Sequence, residues 1–183
     1  MRQFSKIENI IFLSIACWVV FVFSSCLLPD EYPPEPGIKF ESYSYKDTLN
    51  ELDMPVHAGI LKFSFTDGDG DIGLNDGDTL PPYSDCKDST CNNVYINRIG
   101  INNGNLSELL SFDYRIPDIT PAGQNKTLKG EIEVELDIRL PVIIITDDYD
   151  TITYDTVIYE VYIYDRALNQ SNIITTPSIV LNN

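Results

Sequence analysis

Strict alternation of apolar and charged residues from 131 to 138 is the feature that most constrains the fold. Isoleucine, valine and leucine occupy every second position of this segment, and carboxylates occupy the positions between them. A strand has a side-chain period of two, so it places the first set in a core and the second set in water. A helix has a period of 3.6 and would mix the two sets on every face. The segment therefore predicts a β-strand with one buried and one solvated face.

Similar short apolar patterns recur from residue 38 onward. Turn residues separate them, for example at 102–105 and 121–123. About seven antiparallel strands in a domain of this length are typical of a β-sandwich of the immunoglobulin or fibronectin type, which is the predicted all-β fold class. A helical turn at 106–110 is an alternative within this pattern. The predicted strands are 38–45, 59–66, 94–101, about 109–115, 131–138, 156–164 and 171–181, and the β-branched run 142–146 is expected either to pair as well or to belong to a hairpin that ends at 147–150.

The first 25 residues have the composition of an export signal. Arg2 and Lys6 precede the apolar segment 10–23, which is shorter than the roughly 20 apolar residues of a membrane span. Residues 23–26, Phe-Ser-Ser-Cys, resemble a bacterial lipobox, although phenylalanine stands where leucine is usual. The resemblance implies cleavage before Cys26 and lipidation of that cysteine. An uncleaved anchor and a signal peptide cut elsewhere are the alternatives, and all three place the folded part outside the cytoplasm.

Residues 26–37 predict a tether between the lipidated cysteine and the domain. Four prolines in this segment favour the polyproline II conformation, which extends by about 3.1 Å per residue and holds the domain roughly 35 Å from the lipid. The chain thus divides into a signal peptide at 1–25, the lipidated cysteine and tether at 26–37, and a β-sandwich at 38–183. The expected location is the cell envelope, as an outer-membrane lipoprotein, with exposure at the cell surface left open.

Charge limits the partners of the protein. The chain has 12 basic and 28 acidic residues and a formal net charge of −16. Contact with phosphates needs a basic stripe that this composition does not supply, so nucleic acid is excluded as a partner. A surface with this excess of carboxylates attracts cations.

An acidic segment from Asp67 to Asp78 is the one site-like feature. Asp67, Asp69 and Asp71 are separated by glycines that let the backbone curl and bring several oxygens to one point. Calcium prefers such a cage of six to eight oxygens. The segment resembles the calcium loop of EF-hands and dockerins, which implies ligands from Asp67, Asp69, Asp71, the Gly73 carbonyl, Asn75 and Asp78.

Three departures separate this segment from an EF-hand. Ile72 stands where that family has glycine, a predicted strand replaces the preceding helix, and Asp78 stands where glutamate is usual. Isoleucine resists the left-handed conformation that glycine adopts there. The expectation is therefore a calcium loop of related chemistry, and the alternative is a solvated acidic loop whose glycines only serve turns.

Residues 162–171 resemble the last hairpin of bacterial Ig-like domains, in which a strand ends in Asp-x-Ala-Gly-Asn-x-Ser. Asp165 and Asn169 match that pattern, and Leu168 replaces the usual glycine. With the lipobox and tether, residues 33–183 resemble Gram-negative, Bacteroidota-like surface lipoproteins with a single Ig-like domain, which implies no particular activity. Loops after the second strand and before the last strand share one end of such a sandwich. Asp165 is therefore expected beside the acidic segment, as a further calcium ligand or as a cap of its own turn.

Cys86 and Cys91 are predicted to form a disulfide. Two cysteines this close oxidise after export, and no further cysteine or histidine accompanies them as in a zinc site. A loop this short gains little from chain entropy, so the bridge is expected to set local shape.

Catalysis has little support in the sequence. His57 is the single histidine, lies in a loop-like stretch without a nucleophile motif, and is expected to be an exposed polar residue. The predicted function is a lipid-anchored envelope binding or structural module, calcium-stabilised and not an enzyme, with an unidentified envelope protein or glycan as partner. The alternatives are a carboxylate-based glycan-processing enzyme, a carbohydrate-binding accessory protein, or a subunit of a larger surface complex. Tyrosines at 43, 45, 154, 159, 162 and 164 are the candidates for a sugar-binding face, although such tyrosines more often lie on half-buried strands.

Overall fold

The computed structural model describes residues 31–78, 80, 83, 92–122, 126–145 and 151–181. Within these ranges the regular secondary structure is β-strand, without helices. Accordingly, none of the described segments forms an apolar helix of membrane-spanning length. The strands are β1 (Gly37–Leu49), β2 (Pro55–Asp67), β3 (Val94–Asn102), β4 (Asn105–Tyr114), β5 (Leu128–Arg139), β6 (Val142–Ile145), β7 (Thr151–Tyr154), β8 (Thr156–Ile163), β9 (Ile174–Thr175) and β10 (Ile179–Val180).

Two antiparallel sheets contribute to one core. The first has the strand order β1-β2-β5, and the second has the order β10-β8-β3-β4, with β9 also paired to β8. Strands β6 and β7 form a separate two-stranded hairpin. Leu61 and Phe63 of the first sheet and Tyr159 and Ile163 of the second are fully buried in the same cluster, and burial of one such side chain stabilises the fold by about 1.5–3 kcal/mol. The all-β prediction is confirmed, and the arrangement is consistent with a β-sandwich.

The alternation that predicted a strand at 131–138 corresponds to β5. This strand pairs along its whole length with β2, and Leu136 and Ile138 on its inner face are fully buried. The helical turn proposed as an alternative at 106–110 is wrong, because these residues continue β4. Asn103 and Gly104 have positive φ angles of 50° and 78° and turn the chain directly from β3 into β4. The predicted strand 171–181 is divided into β9 and β10, and β7 was not predicted.

A β-bulge in β1 keeps both halves of this strand facing the core. The register between β1 and β2 shifts between Phe40 and Ser42, so Glu41 is the additional residue. Side chains alternate with a period of two, and one extra residue restores Tyr43 to the same side as Phe40. Both rings pack against the core.

The core face of β2 carries an ionisable residue near each end of the strand. His57 and Asp67 share this face with Leu61 and Phe63, and both are fully buried. The two regions are called the His57 end and the Asp67 end below. Residues 31–36, the last part of the predicted tether, lead into β1 at the Asp67 end.

Several predictions concern residues outside the described ranges. The signal peptide at 1–25, the lipidated Cys26 and the first part of the tether belong to this group. The predicted disulfide between Cys86 and Cys91 also lies outside the described residues. These remain predictions from the sequence.

Candidate metal centre at the Asp67 end

Asp67 is the last residue of β2, and its carboxylate shapes the chain that follows. Its Oδ1 accepts hydrogen bonds from the backbone N–H of Asp69, at 3.2 Å, and of Gly70, at 2.8 Å. Its Oδ2 is buried and has no hydrogen-bond partner among the described residues. A buried carboxylate oxygen without a partner is costly, and native proteins normally satisfy such atoms. Asp67 thus has one oxygen that turns the chain and one that lacks a partner.

Asp69 and Asp71 bring two more carboxylates to the same point. One oxygen from each of the three aspartates lies within 4.8 Å of the other two. Asp71 also has a buried oxygen, Oδ1, with no partner in the part of the chain that the structure describes. Asp69 is exposed, so the cluster has access to solvent. Three carboxylates with two unsatisfied buried oxygens form a ligand set composed only of oxygen.

Glycine at position 70 allows the chain to adopt this tight conformation. Gly70 has a φ of +68°, and a Cβ there would lie 1.7 Å from the carbonyl oxygen of Lys126. A side chain would therefore be excluded both by the backbone conformation and by the neighbouring chain. These two restrictions explain why glycine stands between Asp69 and Asp71 in the sequence.

The electrostatics of the cluster disfavour three negative charges in the absence of a cation. Burial raises the pKa of the Asp67 carboxyl to about 7, and the charges of Asp69 and Asp71 contribute to the rise. Burial also raises the pKa of Asp71 to about 6, together with the charges of Asp165 and Asp69. A bound divalent cation would oppose both causes, because it supplies positive charge and a partner for the buried oxygens.

Asp165 lies in the turn after β8, beside the cluster. The backbone N–H of Arg166 donates to the Asp71 carbonyl at 3.2 Å, which brings this turn against the acidic segment. Both Asp165 oxygens accept hydrogen bonds from Asn169, from its backbone N–H at 2.7 Å and its side-chain amide at 2.8 Å. Asp165 therefore caps its own turn and adds negative charge near Asp71. Leu168 in the same turn has a φ of +67°, the conformation that explains glycine at this position in the motif it resembles.

Asp78 forms its hydrogen bonds with other residues and lies outside the cluster of three aspartates. Its Oδ2 and Oδ1 accept hydrogen bonds from the Arg166 guanidinium at 2.6 and 3.2 Å, and the Asn75 N–H also donates to Oδ2. The hydrogen bond from Asn75 and the adjacent guanidinium lower the pKa of Asp78. The Asn75 carbonyl accepts a hydrogen bond from Arg115, and Gly73 packs against the backbone of Pro117. Of the ligands predicted from the sequence, the structure thus clusters Asp67, Asp69 and Asp71.

The interpretation of His57 as an exposed polar residue is wrong. His57 is fully buried, its Nδ1 hydrogen-bonds to the Asp47 carboxylate at 2.8 Å, and its ring stacks on Tyr45 at a centroid distance of 3.9 Å. The alternation through Leu61 and Phe63 places His57 on the core face and was the signal that could have shown its burial. The preceding proline instead suggested a loop.

Arg98 is a buried cation that the sequence analysis did not single out. Its Nε donates to the Tyr159 hydroxyl at 3.1 Å, its Nη2 donates to the Asp137 carbonyl at 2.8 Å, and its guanidinium lies 4.8 Å from the centre of the Phe112 ring. Arg98 alternates in β3 with Val94 and Ile96, which places it on the core face. It connects the two sheets through neutral partners.

The candidate tyrosines do not form one common surface. Tyr154 and Tyr159 are buried, and Tyr45 stacks on His57. Tyr162 and Tyr164 lie on the outer face of the second sheet together with Tyr95, which the sequence analysis did not include. The rings of Tyr95 and Tyr162 stack at 5.2 Å, and Tyr164 meets both edge-on at 5.8 and 5.9 Å.

Comparison with known proteins identifies no relative of this chain. No family model matches it, and neither a curated protein nor a solved structure matches it. Any functional conclusion therefore follows from the residues and their geometry.

Proposed function

We propose that the chain is a lipid-anchored cell-envelope binding or structural module, without catalytic activity, that calcium stabilises at Asp67, Asp69 and Asp71. The observation that carries the calcium site is the fully buried Asp67, whose Oδ2 lacks a partner among the described residues while two further carboxylates lie within 4.8 Å. Calcium suits an irregular all-oxygen site, whereas magnesium demands near-octahedral geometry and transition metals favour nitrogen or sulfur.

The immunoglobulin- or fibronectin-like type of sandwich is part of this proposal. The order β1-β2-β5 in one sheet and β10-β8-β3-β4 in the other corresponds to strands A-B-E and G-F-C-C′ of such domains. The fold alone does not define an activity. It does support a module with two opposite ends, of which the Asp67 end is the one where residues 31–36 lead into β1.

The burial of Asp67 and His57 argues against a catalytic role for either residue. A carboxyl with a pKa of about 7, such as that of Asp67, also suits a general acid in glycoside hydrolysis. Asp67 is fully buried, however, so it is shielded from a glycosidic oxygen in solvent. His57 is likewise buried and held by Asp47. Neither group is presented to a substrate.

A thermal melt of the full chain, with calcium chloride and with EDTA, tests the calcium site. Calcium at about 100 times its dissociation constant adds about 2.7 kcal/mol and raises the midpoint by roughly 5–10 °C. Asp69→Asn is expected to abolish the shift. Asp76→Asn is the matched control, because Asp76 is an exposed aspartate of the same segment outside the cluster. Absence of a shift at millimolar calcium, or equal loss in both variants, would contradict the site.

A carbohydrate-binding accessory role is a second candidate, favoured by Tyr95, Tyr162 and Tyr164. Their aromatic surface lies beside Asp113 and Glu160. Asp113 pairs across the sheet with Tyr95, and Glu160 pairs with the neighbouring Asn97. Aromatic rings next to hydrogen-bonding groups suit the apolar face and the hydroxyls of a neutral sugar.

Titration of the protein with neutral oligosaccharides, followed by tyrosine fluorescence, tests this candidate. Tyr162→Ala is expected to abolish binding, because it removes the ring in contact with both other tyrosines. Tyr45→Ala, at the His57 end, is the control that retains it. Equal affinities of the two variants would contradict the role.

A further inference from the structure

We propose that calcium at the Asp67 end also clamps residues 31–35 against the domain, so that its binding sets how far the domain extends from the preceding chain. The inference rests on the proposed calcium site and adds a mechanical role to it. The observation behind the inference is the position of Gly68, which lies between Asp67 and Asp69 and also contacts the preceding segment.

Gly68 holds the segment through its backbone. Its N–H donates a hydrogen bond to the Pro33 carbonyl at 2.8 Å. A Cβ at Gly68 would lie 2.1 Å from the Tyr32 carbonyl oxygen and 2.6 Å from the Pro33 carbonyl oxygen. Two successive carbonyls of the segment therefore lie directly against the acidic segment, at a distance that glycine permits and a larger residue does not.

A separate pair of hydrogen bonds holds the start of β1. The side-chain amide of Asn172 accepts a hydrogen bond from the Ile38 N–H and donates one to the Ile38 carbonyl, both at 2.9 Å. Ile38 is also buried in the core. Neither contact involves the three clustered aspartates, so Ile38 stays in place whether or not a cation is bound. Pro36 is buried as well, so the chain before Pro36 can change position about a fixed point.

Cation binding and the position of Gly68 are coupled through the chain. Asp67 and Asp69 flank Gly68, and a cation that binds both carboxylates fixes the peptide between them. Without the cation the like charges repel one another, and the glycines of this segment offer little resistance to rearrangement. The Gly68–Pro33 hydrogen bond is then lost. Release of residues 32–35, at about 3.1 Å per residue, adds roughly 12 Å to the reach of the tether.

Cleavage by an endoprotease specific for glutamate tests the clamp in the full-length protein. The Glu31–Tyr32 bond reports on the segment, and the Glu51–Leu52 bond, in the exposed turn between β1 and β2, is an internal control at the His57 end. Both rates are measured by mass spectrometry in calcium chloride and in EDTA. Calcium is expected to slow the first cleavage about tenfold, because it suppresses local opening, and to leave the second unchanged.

Two variants separate the clamp from the cation site. Gly68→Ala keeps all three carboxylates but introduces a methyl group that overlaps the Tyr32 and Pro33 carbonyls. This variant is expected to bind calcium in a calorimetric titration and to show rapid Glu31 cleavage in calcium and in EDTA alike. Asp69→Asn is expected to lose both calcium binding and protection, and Asp76→Asn to retain both.

The outcomes distinguish the two proposals. Calcium binding with identical Glu31 cleavage in calcium and EDTA overturns the clamp and leaves the metal site standing. Protection of Glu31 in Gly68→Ala also overturns the clamp. If calorimetry detects no calcium binding to the wild-type protein, the metal site and the clamp are both refuted.

Discussion

His57 and Asp67 lie on the same buried face of β2, one at each end, and their surroundings differ in one respect. The His57 ring is stacked on Tyr45 and hydrogen-bonded to the Asp47 carboxylate. Each residue has one buried polar atom without a partner among the described residues, Nε2 of His57 and Oδ2 of Asp67, but Asp67 is surrounded by the carboxylates of Asp69 and Asp71. Residues of the chain thus supply a hydrogen-bonding carboxylate and a stacked ring to His57, whereas the Asp67 end gathers charges of one sign.

This difference shows how burial of an ionisable side chain bears on function. Burial alone distinguishes neither residue, because both are fully inaccessible. What distinguishes Asp67 is that burial and the neighbouring carboxylates raise the energy of its charged form by more than the hydrogen bond from the Gly70 N–H lowers it. A group in that situation indicates a ligand that supplies the opposite charge.

The largest expected effect tests whether the His57 end is independent of calcium. His57→Ala is expected to lower the free energy of unfolding by about 3 kcal/mol, because it leaves a cavity beside Tyr45 and removes the hydrogen bond between His57 and Asp47. Urea denaturation should give the same loss in calcium and in EDTA. Lys46→Ala, an exposed position of β1, is the control. A loss confined to one of the two conditions would contradict the independence of the ends.

Asp67→Asn should produce opposite effects in the two conditions. The amide oxygen can still accept the N–H groups of Asp69 and Gly70, and the buried charge disappears. The free energy of unfolding is expected to rise by about 1–2 kcal/mol in EDTA and to lose its dependence on calcium. Denaturation curves of the variant and the wild type in both conditions measure this. Lower stability in EDTA would show that the carboxylate is stabilising without a cation.

The pH dependence of stability should follow the same two carboxyls. In the folded protein the pKa of Asp67 is about 7 and that of Asp71 about 6, both raised from the value of 3.8 assumed for the unfolded chain. Between those values the folded state binds more protons, so the free energy of unfolding falls as pH rises from about 4 to about 7. Urea denaturation in EDTA across this interval measures the slope. Asp67→Asn should flatten it, and an unchanged slope would contradict the assignment.

The smallest expected effect concerns the turn that supports the Asp67 end. Leu168 has a φ of +67°, which is unfavourable for a residue with a Cβ. Leu168→Gly is therefore expected to raise the free energy of unfolding by about 0.5 kcal/mol after the entropic cost of glycine. Ala167→Gly, which removes no such strain, should lower it. Chemical denaturation of both variants checks the sign, and equal losses would contradict the explanation.

The strands were largely predictable because their patterns are local. The alternation within β5 and the turn at Asn103 and Gly104 each depend on residues close in sequence. The bulge at Glu41 was not predictable in this way, because its register is defined only against β2. The short strand β7 gave no clear pattern, since it has four residues and is defined by its pairing with β6.

The candidate site was partly predictable for the same reason. Asp67, Asp69 and Asp71 come together through the local curl of the backbone, which their spacing with glycine indicates. Asp78 pairs with Arg166, a residue distant in sequence that spacing within the acidic segment cannot reveal. The contact of Gly68 with Pro33 is likewise a tertiary contact.

Asn172 has a consequence for how the domain carries force. Its amide forms a donor and acceptor pair with the backbone of Ile38, as another strand would. A pull on the chain before Gly37 acts along β1, and this pair and the ladder to β2 lie across that direction. The bonds are then loaded in shear and have to yield together. The point where the preceding chain enters the domain is therefore built to resist a pull.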